Sequence, residues 1–206
     1  MTKDPTYEEH GVFENSDIPA EEHAETPDSL REAAVLIPLI RHEDQWNILF
    51  IRRASRPGDR HSGQVAFPGG ARDPSDLNLK HTALRETEEE IGISKKHISV
   101  LGELTPYTTI SQFAVTAYVA HVTWPVKLAL QKAEVARTFL IPMPWLEKRE
   151  NFELKPRNEL DPQSSRRHPI VVYKRYEGEV LWGATARMTL NFFKAMQENK
   201  IQLPQF

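Results

Sequence analysis

The sequence predicts an α/β domain in which helices cover both faces of a mixed β-sheet. Short apolar runs rich in branched residues, typical of strands, recur along the chain. A helical segment at Leu79–Ile91 interrupts these runs, and Thr185–Gln197 repeats apolar residues at helical spacing. Helices that alternate with strands favour a sheet sandwiched between helical layers. A chain of 206 residues with 39% hydrophobic content can form one such core.

The predicted elements follow one another closely. Residues 33–39 and 46–52 form a hairpin through the polar turn at 42–45, and Gly92 caps the helix of residues 79–91. A short helix is predicted at 144–148. Further strands are predicted at residues 64–67, 100–104, 113–122, 135–141, 170–173 and 180–182, the last two paired through Glu177-Gly178.

Composition limits the function classes. The net charge of -3 gives no sign of the positive field that nucleic-acid binding usually needs. The chain has no cysteine, which excludes thiolate nucleophiles and cysteine-ligated metals and suits a reducing cytoplasm. Its apolar runs are too short to span a bilayer, so no membrane partner is expected and a cytoplasmic location is predicted.

The first thirty residues differ in composition from the rest. Residues 1–30 are rich in Glu, Asp and Pro, and we expect a flexible acidic tail ahead of a domain at 31–206. The alternative is an arm that packs on a partner subunit, with apolar anchors such as Tyr7 and Phe13.

Three glutamates in the helix of residues 79–91 are the candidate ligands of a divalent metal ion. Glu86, Glu89 and Glu90 stand at i, i+3 and i+4, on the side of the helix opposite its apolar stripe. Spacing alone is typical of an ordinary solvated acidic face. However, no lysine is interleaved to offset the like charges, and carboxylates on one turn suit Mg²⁺ or Mn²⁺. Pro68-Gly69-Gly70 precedes the helix and allows close backbone approach to a ligand.

Together these segments resemble a known motif. Residues 70–76, followed after a gap by Arg85–Ile93, resemble the Nudix box, G-x5-E-x7-R-E-U-x-E-E-x-G-U. The second half fits closely. In the first half, Asp76 replaces the expected glutamate and one extra residue follows it, and Thr87 occupies a site usually given to a bulky aliphatic residue. The resemblance implies the Nudix fold, an α/β/α sandwich with a mixed β-sheet between helices.

A second motif narrows the resemblance to one branch of the family. Residues 49–54 and 61–70 are similar to the two ends of L-L-T-x-R-[SA]-x3-R-x3-G-x3-F-P-G-G, the signature of coenzyme A diphosphatases. The stretch from Arg53 to Gly63 is one residue too long, so either Arg56 or Arg60 stands in for the second arginine. Residues 104–109 and 182–188 also look like downstream segments of that branch.

The family resemblance implies roles for the box residues. Glu86 and Glu90 would be the principal ligands of Mg²⁺ or Mn²⁺, with Glu89 shared between ions and the backbone carbonyl of Gly69 as a further ligand. Arg85 would orient a carboxylate by a charge-assisted fork. A surface ion pair with a nearby glutamate is the alternative for Arg85.

The general base and the substrate contacts are less defined. Glu86 or Glu89 is a candidate base, as are Glu134 and Glu103, which are otherwise exposed structural glutamates. His61, which follows Arg60, either binds phosphate or is structural. Tyr107, Phe113 and Trp182 are candidates to stack on adenine, although core packing is the favoured use of the latter two. The predicted substrate-binding residues are Arg52, Arg53, Arg56, Arg60, His61 and Tyr107.

The resemblance implies hydrolysis of the pyrophosphate linkage of coenzyme A or acyl-coenzyme A to 3′,5′-ADP and (acyl-)4′-phosphopantetheine. One alternative keeps the chemistry but changes the substrate to ADP-ribose, a dinucleotide or a nucleoside triphosphate. Another is a Nudix-like module that binds a nucleotide without turning it over. By analogy with the family, the partners are a nucleotide-derived small molecule and a second copy of the chain in a homodimer.

Overall fold

A computed structural model describes residues 30–58, 61–156 and 169–205. The predicted tail therefore lies outside the described residues, apart from its last member. In the described parts, no helix is both long and apolar enough to cross a bilayer. The strands are β1 (Arg31–His42), β2 (Gln45–Arg53), β3 (Val65–Ala66), β4 (Gly69–Ala71), β5 (Ile98–Glu103), β6 (Tyr107–Thr108), β7 (Phe113–Val122), β8 (Val135–Pro142), β9 (Phe152–Lys155) and β10 (Ile170–Tyr173). The helices are α1 (Leu79–Ile91), α2 (Met143–Leu146) and α3 (Gly183–Gln197), with 3₁₀ turns at Lys95–His97 and Arg149–Asn151.

The main sheet is mixed and centres on β1. This strand pairs antiparallel with β2 and β4 and parallel with β7. The strands β5 and β6 pair antiparallel with β7, while β3 and β8 pair antiparallel with β2. The predicted β1–β2 hairpin is confirmed, and its turn places Glu43 and Asp44 in the left-handed region.

Residues of β1 alternate between two cores. Ile37 and Leu39 pack in the large core that contains the apolar side of α3, whereas Ala34 and Leu36 pack with Ala83 of α1 on the other face. Both faces of β1 are therefore covered by a helix, as its nearly continuous apolar run requires. The predicted α/β/α sandwich is confirmed.

Helix α1 begins and ends where the sequence predicts. The Asn78 side chain accepts the backbone N–H of His81 at 2.9 Å. Gly92 ends the helix in the left-handed conformation, and its N–H bonds the carbonyl of Glu88 at 2.9 Å. The last turn is fixed further by the N–H of Gln131, which donates to the carbonyl of Glu90 at 2.9 Å.

The C-terminal strand pairing differs from the prediction. Strand β10 pairs with β9, which the sequence did not reveal, and Trp182 meets it only through an isolated bridge to Val172. The Glu177-Gly178 turn exists, closed by a bridge between Tyr176 and Glu179. The pairing predicted through this turn is therefore present only as isolated bridges, while the regular ladder of β10 forms with β9 on its other edge.

Candidate functional site

The three glutamates of α1 do not share one solvated face. Glu90 is only 2% exposed, while the side chains of Glu86 and Glu89 are 16% and 57% exposed. The prediction that all three point away from the apolar side is wrong for Glu90. The cause is its place on the helix, beside the buried Thr87 and Ile91.

Two glycines of β4 make room for these carboxylates. Gly69 has φ of 152°, and a Cβ there would lie 2.4 Å from the carbonyl oxygen of Ala34. A Cβ on Gly70 would lie 2.7 Å from the Glu86 carboxylate. The Gly69 N–H donates to the Glu90 carboxylate at 3.0 Å. Only glycines allow the β4 backbone to approach both glutamates this closely.

Arg85 forms a two-pronged ion pair with Asp76. Its Nε and Nη2 each donate to a different Asp76 oxygen at 2.9 Å. Asp76 is buried, and its carboxylate also accepts the Thr82 hydroxyl at 2.9 Å and the Asp73 N–H at 2.9 Å. The bonds from Arg85 outweigh burial and hold the pKa of Asp76 well below its usual range. The sequence marked Asp76 as a departure from the Nudix box, and its partner Arg85 became visible only in the fold.

The same guanidinium extends to two glutamates of the helix. Nη1 of Arg85 lies 2.9 Å from carboxylate oxygens of both Glu86 and Glu89. The predicted fork therefore exists, but Asp76 receives it. The alternative, an ion pair with a nearby glutamate, is present as well through Glu89. Arg85 thus links the buried Asp76 to the partly buried Glu86 and the exposed Glu89.

The carboxylates of Glu86 and Glu90 are electrostatically unfavourable as they stand. Burial raises the pKa of Glu90 to about 7, and the charges of Glu86 and Glu134 add to the rise. The Gly69 N–H and Arg53 oppose it. Burial likewise raises the pKa of Glu86, against the effect of Arg85. A cation beside these oxygens would reverse both shifts, so the donor set fits a hard divalent ion.

The arrangement is not yet that of a closed metal site. Within the residues that the structure describes, no three Asp, Glu, His or Cys side chains are arranged to hold an ion. Arg85 engages oxygens of both Glu86 and Glu89. Side chains must therefore rearrange before Glu86, Glu89 and Glu90 can hold one ion together. At Gly69, the structure has the N–H, rather than the carbonyl, in contact with a box glutamate.

The two candidate bases outside the helix have different surroundings. Glu134 lies close enough to raise the pKa values of both Glu86 and Glu90. Its carboxylate is 3.5 Å from Nη2 of Arg56 and its side chain is 45% exposed. Glu103 instead hydrogen-bonds Tyr118 across the β5–β7 pair, and burial together with this bond raises the pKa of Tyr118 to about 12.

The predicted cluster of arginines separates into different environments. Arg53 lies near Glu90, whose ionised form it favours. Arg56 donates to the carbonyl of Ala133 at 2.6 Å and faces Glu134. Arg52 lies on the opposite face of β2, and Arg60 lies outside the described residues.

His61 and Tyr107 lie in two different local environments. Nδ1 of His61 lies 3.1 Å from the side-chain oxygen of Gln64. Tyr107 pairs with Val115 and packs against the core on the α3 side. In register it is three strand spacings from β4, or about 14 Å. Trp182, by contrast, is 39% exposed at the start of α3.

One charged cluster was not predicted. Glu179 is 4% exposed and accepts Nη1 of Arg52 at 2.6 Å and both Nε and Nη2 of Arg137, the former at 3.0 Å. Burial alone would raise the pKa of Glu179, but the bonds from Arg137 and Arg52 keep it below its ordinary value. Only the β2–β8 register and the fold of the C-terminal segment bring these three residues together, so their sequence spacing carries no signal.

Comparison with known proteins identifies the family. Residues 30–162 match the model of the NUDIX domain. A Nudix hydrolase of Pectobacterium atrosepticum, named NudL and described as uncharacterized, is 36% identical over 156 residues, covering 76% of this chain and 78% of that one. This chain belongs to the Nudix family. The NudL protein of Yersinia pestis is 39% identical over 156 residues, covering 76% and 75% of the two chains.

Solved structures support the fold. RenU, a Nudix hydrolase from M. smegmatis, superposes with a TM-score of 0.52 at 16% identity, covering 85% of this chain and 90% of RenU. A MutT/nudix family protein from Enterococcus faecalis gives 0.51 at 15% identity, with 86% and 66% covered. The predicted fold and enzyme class are therefore confirmed: the chain is a Nudix pyrophosphohydrolase of nucleotide derivatives, in a family that generally uses divalent cations.

Proposed function

We propose that this Nudix hydrolase cleaves the pyrophosphate linkage of coenzyme A or acyl-coenzyme A, releasing 3′,5′-ADP and (acyl-)4′-phosphopantetheine. The proposal rests on one observation: both ends of the upstream motif lie close to the glutamates of the Nudix box. Residues 49–54 end β2 with Arg53 near Glu90, and residues 67–70 supply the glycines against Glu86 and Glu90. A motif typical of coenzyme A diphosphatases therefore surrounds the carboxylates.

We assign the metal to the carboxylate side of α1. Glu86 and Glu90, with Glu89 and the Gly69 carbonyl, would hold Mg²⁺ or Mn²⁺ through oxygen ligands. Such an ion lowers the pKa of a bound water and neutralises charge on the phosphate oxygens. Glu90 is held for this role by the Gly69 N–H at 3.0 Å.

Arg85 is a positioning residue in this scheme. Its fork to buried Asp76 fixes the guanidinium plane, and Nη1 then restrains Glu86 and Glu89 at 2.9 Å. Two like-charged carboxylates are thereby kept on one turn before an ion arrives. Arg85 thus lowers the cost of assembling the acidic group without touching the substrate.

Glu134 is the general base we favour over Glu103. It lies near Glu86 and Glu90, while Glu103 bonds Tyr118. Arg56 faces one oxygen of Glu134, which leaves the other to accept the proton of the attacking water. Arg53 lies beside Glu90 and would balance the charge of the substrate diphosphate.

Product analysis tests the proposal. The protein is incubated with coenzyme A, ADP-ribose and NADH in Mg²⁺ and in Mn²⁺, and products are separated by chromatography. We expect 3′,5′-ADP and 4′-phosphopantetheine from coenzyme A, with a kcat/KM above those of the other two substrates. Glu90→Gln, which preserves the side-chain shape, should lose roughly a thousandfold in activity.

The control is Glu88→Gln, an exposed glutamate of the same helix. It should retain wild-type activity. Preferential cleavage of ADP-ribose or NADH would move the substrate assignment to the wider family, and binding without any turnover would favour the regulatory module. Full activity of Glu90→Gln on every cleaved substrate contradicts the metal assignment itself.

A further inference from the structure

The cluster of Arg52, Glu179 and Arg137 lies on the α3 face of the sheet. Arg52 follows Ile48 and Phe50 in alternation, and both of these pack in the α3-side core. Arg52 and Arg137 are directly opposed across the β2–β8 pair. Glu179 reaches both from the segment before α3, with only 5% of its side chain exposed.

The charges of this cluster do not cancel. Two guanidinium groups directly opposite each other on neighbouring strands repel, and one buried carboxylate offsets only one of them. Arg52 and Arg137 remain 40% and 51% exposed in their side chains. A single arginine would suffice to neutralise Glu179. The second arginine is a surplus positive charge held in a fixed place.

Most of the guanidinium donors are still available. Of the five N–H groups on each guanidinium, Arg52 gives one to Glu179 and Arg137 gives two. Across residues 30–58, 61–156 and 169–205, these two side chains make no other hydrogen bond. The remaining donors belong to two planar groups restrained by one anchor, which suits the tetrahedral oxygens of a phosphate group.

The cluster lies at the same end of β2 as the box carboxylates, but on the opposite face of the sheet. Arg52 and Arg53 are neighbours on opposite faces of β2, and an irregularity in the β2–β8 register falls between them. Arg53 lies near Glu90 on the α1 side, while Arg52 lies on the α3 side. The two groups therefore lie on opposite faces of the same end of β2.

We propose that Arg52 and Arg137, positioned by Glu179, form a second anion site that binds a phosphate monoester of the substrate, separate from the diphosphate that is cleaved. The assignment of that monoester to the ribose 3′-phosphate of coenzyme A rests on the proposed function. The anion site itself rests on the geometry of the three residues. This anion site would select substrates that carry a phosphate group in addition to the diphosphate that is cleaved.

Two substrates that differ only in this group test the proposal. Coenzyme A and dephospho-coenzyme A are compared with wild type and Arg137→Gln in Mg²⁺. For coenzyme A we expect kcat/KM to fall about tenfold or more, mainly through KM, because a charge-assisted contact is lost. For dephospho-coenzyme A the change should stay within about twofold.

The matched control is Arg41→Gln, which makes the same change at the other end of the β1–β2 hairpin. Arg41 pairs with Trp46, six residues from Arg52 along β2, or about 20 Å away. This variant should match wild type on both substrates. An equal loss on both substrates in Arg137→Gln, or no loss on either, overturns the anion site.

A binding measurement separates this proposal from the proposed function. Calorimetry with 3′,5′-ADP and 5′-AMP needs no turnover, and wild type should bind 3′,5′-ADP roughly tenfold more tightly. Arg137→Gln should abolish that preference, and Arg52→Gln provides a second variant if the first fails to fold. If coenzyme A is not cleaved but the preference exists, the proposed function fails while the anion site stands. Equal affinity of wild type for both ligands overturns the anion site.

Discussion

Two charged clusters lie at the same end of β2, one on each face of the sheet, and they carry opposite net charges. On the α1 side, Arg85 is bound to a buried Asp76 and restrains two glutamates. On the α3 side, a buried Glu179 restrains two arginines. On the α1 side the buried Asp76 acts on the glutamates through Arg85, whereas on the α3 side the buried Glu179 binds the two arginines directly. The excess charge of the α1-side cluster is negative and suits a cation. The excess charge of the α3-side cluster is positive and suits an anion.

Two strands contribute to both clusters. The end of β2 supplies Arg53 to one side and Arg52 to the other. The start of β8 does the same, with Glu134 just before the strand near the carboxylates and Arg137 opposite Arg52. Alternation of side chains along a strand therefore places the two clusters on opposite faces of one pair of strands.

The buried anchor on the α1 side gives the largest expected effect. Asp76→Asn keeps the shape but removes the charge that pairs with Arg85, so we expect a loss of about 3 kcal/mol in the free energy of unfolding. Denaturant unfolding measures this loss. Glu32→Gln, in an exposed pair with Arg72 at 2.6 Å, should cost no more than about 1 kcal/mol. Similar losses in the two variants would mean that Asp76 is not an anchor.

The base assignment sharpens the contrast between the two sides. Glu134→Gln should lower kcat about a hundredfold, because the proton acceptor is removed while metal binding is retained. Glu103→Gln is the comparison, and its kcat should remain near that of wild type. Steady-state kinetics at saturating metal gives both values. If Glu103→Gln instead caused the larger loss in kcat, Glu103 would be the general base and Glu134 would have no role in proton transfer.

The smallest expected effect is in the pH dependence of stability. Because folding raises the pKa of Glu90 to about 7, its contribution to stability is intact below the unfolded value and is lost as pH rises through about 7. A cation that binds the ionised form should restore this loss. The Tm difference between Mg²⁺-loaded and chelator-treated protein should therefore grow by several degrees from about pH 5 to about pH 8. In Glu90→Gln the difference should grow less with pH, because only Glu86 then keeps a raised pKa, and a pH-independent difference in wild type would contradict the prediction.

Local signals in the sequence predicted much of the fold. Helix α1 was predicted from its apolar period and from Gly92, and Asn78 and Gly92 cap it in the structure. The short strands β4 and β6 were missed, since two or three residues carry no alternation. Strand β9 was missed as well, and with it the partner of β10.

The candidate site was predictable in identity but not in arrangement. The motif located the glutamates, yet it does not show that the buried Glu90 accepts the N–H of Gly69, 21 residues away. The Arg52–Glu179 pair spans 127 residues and depends on strand register. Charges of this kind are positioned by tertiary packing, which helix or strand periodicity does not encode.

The central claim is that the carboxylate side of the sheet binds the cation and the arginine side does not. Calorimetric titration of Mn²⁺ into wild type, Glu90→Gln and Arg137→Gln tests it directly. We predict that Glu90→Gln loses at least about tenfold in Mn²⁺ affinity, while Arg137→Gln binds as wild type does. Wild-type Mn²⁺ affinity in Glu90→Gln would contradict the account.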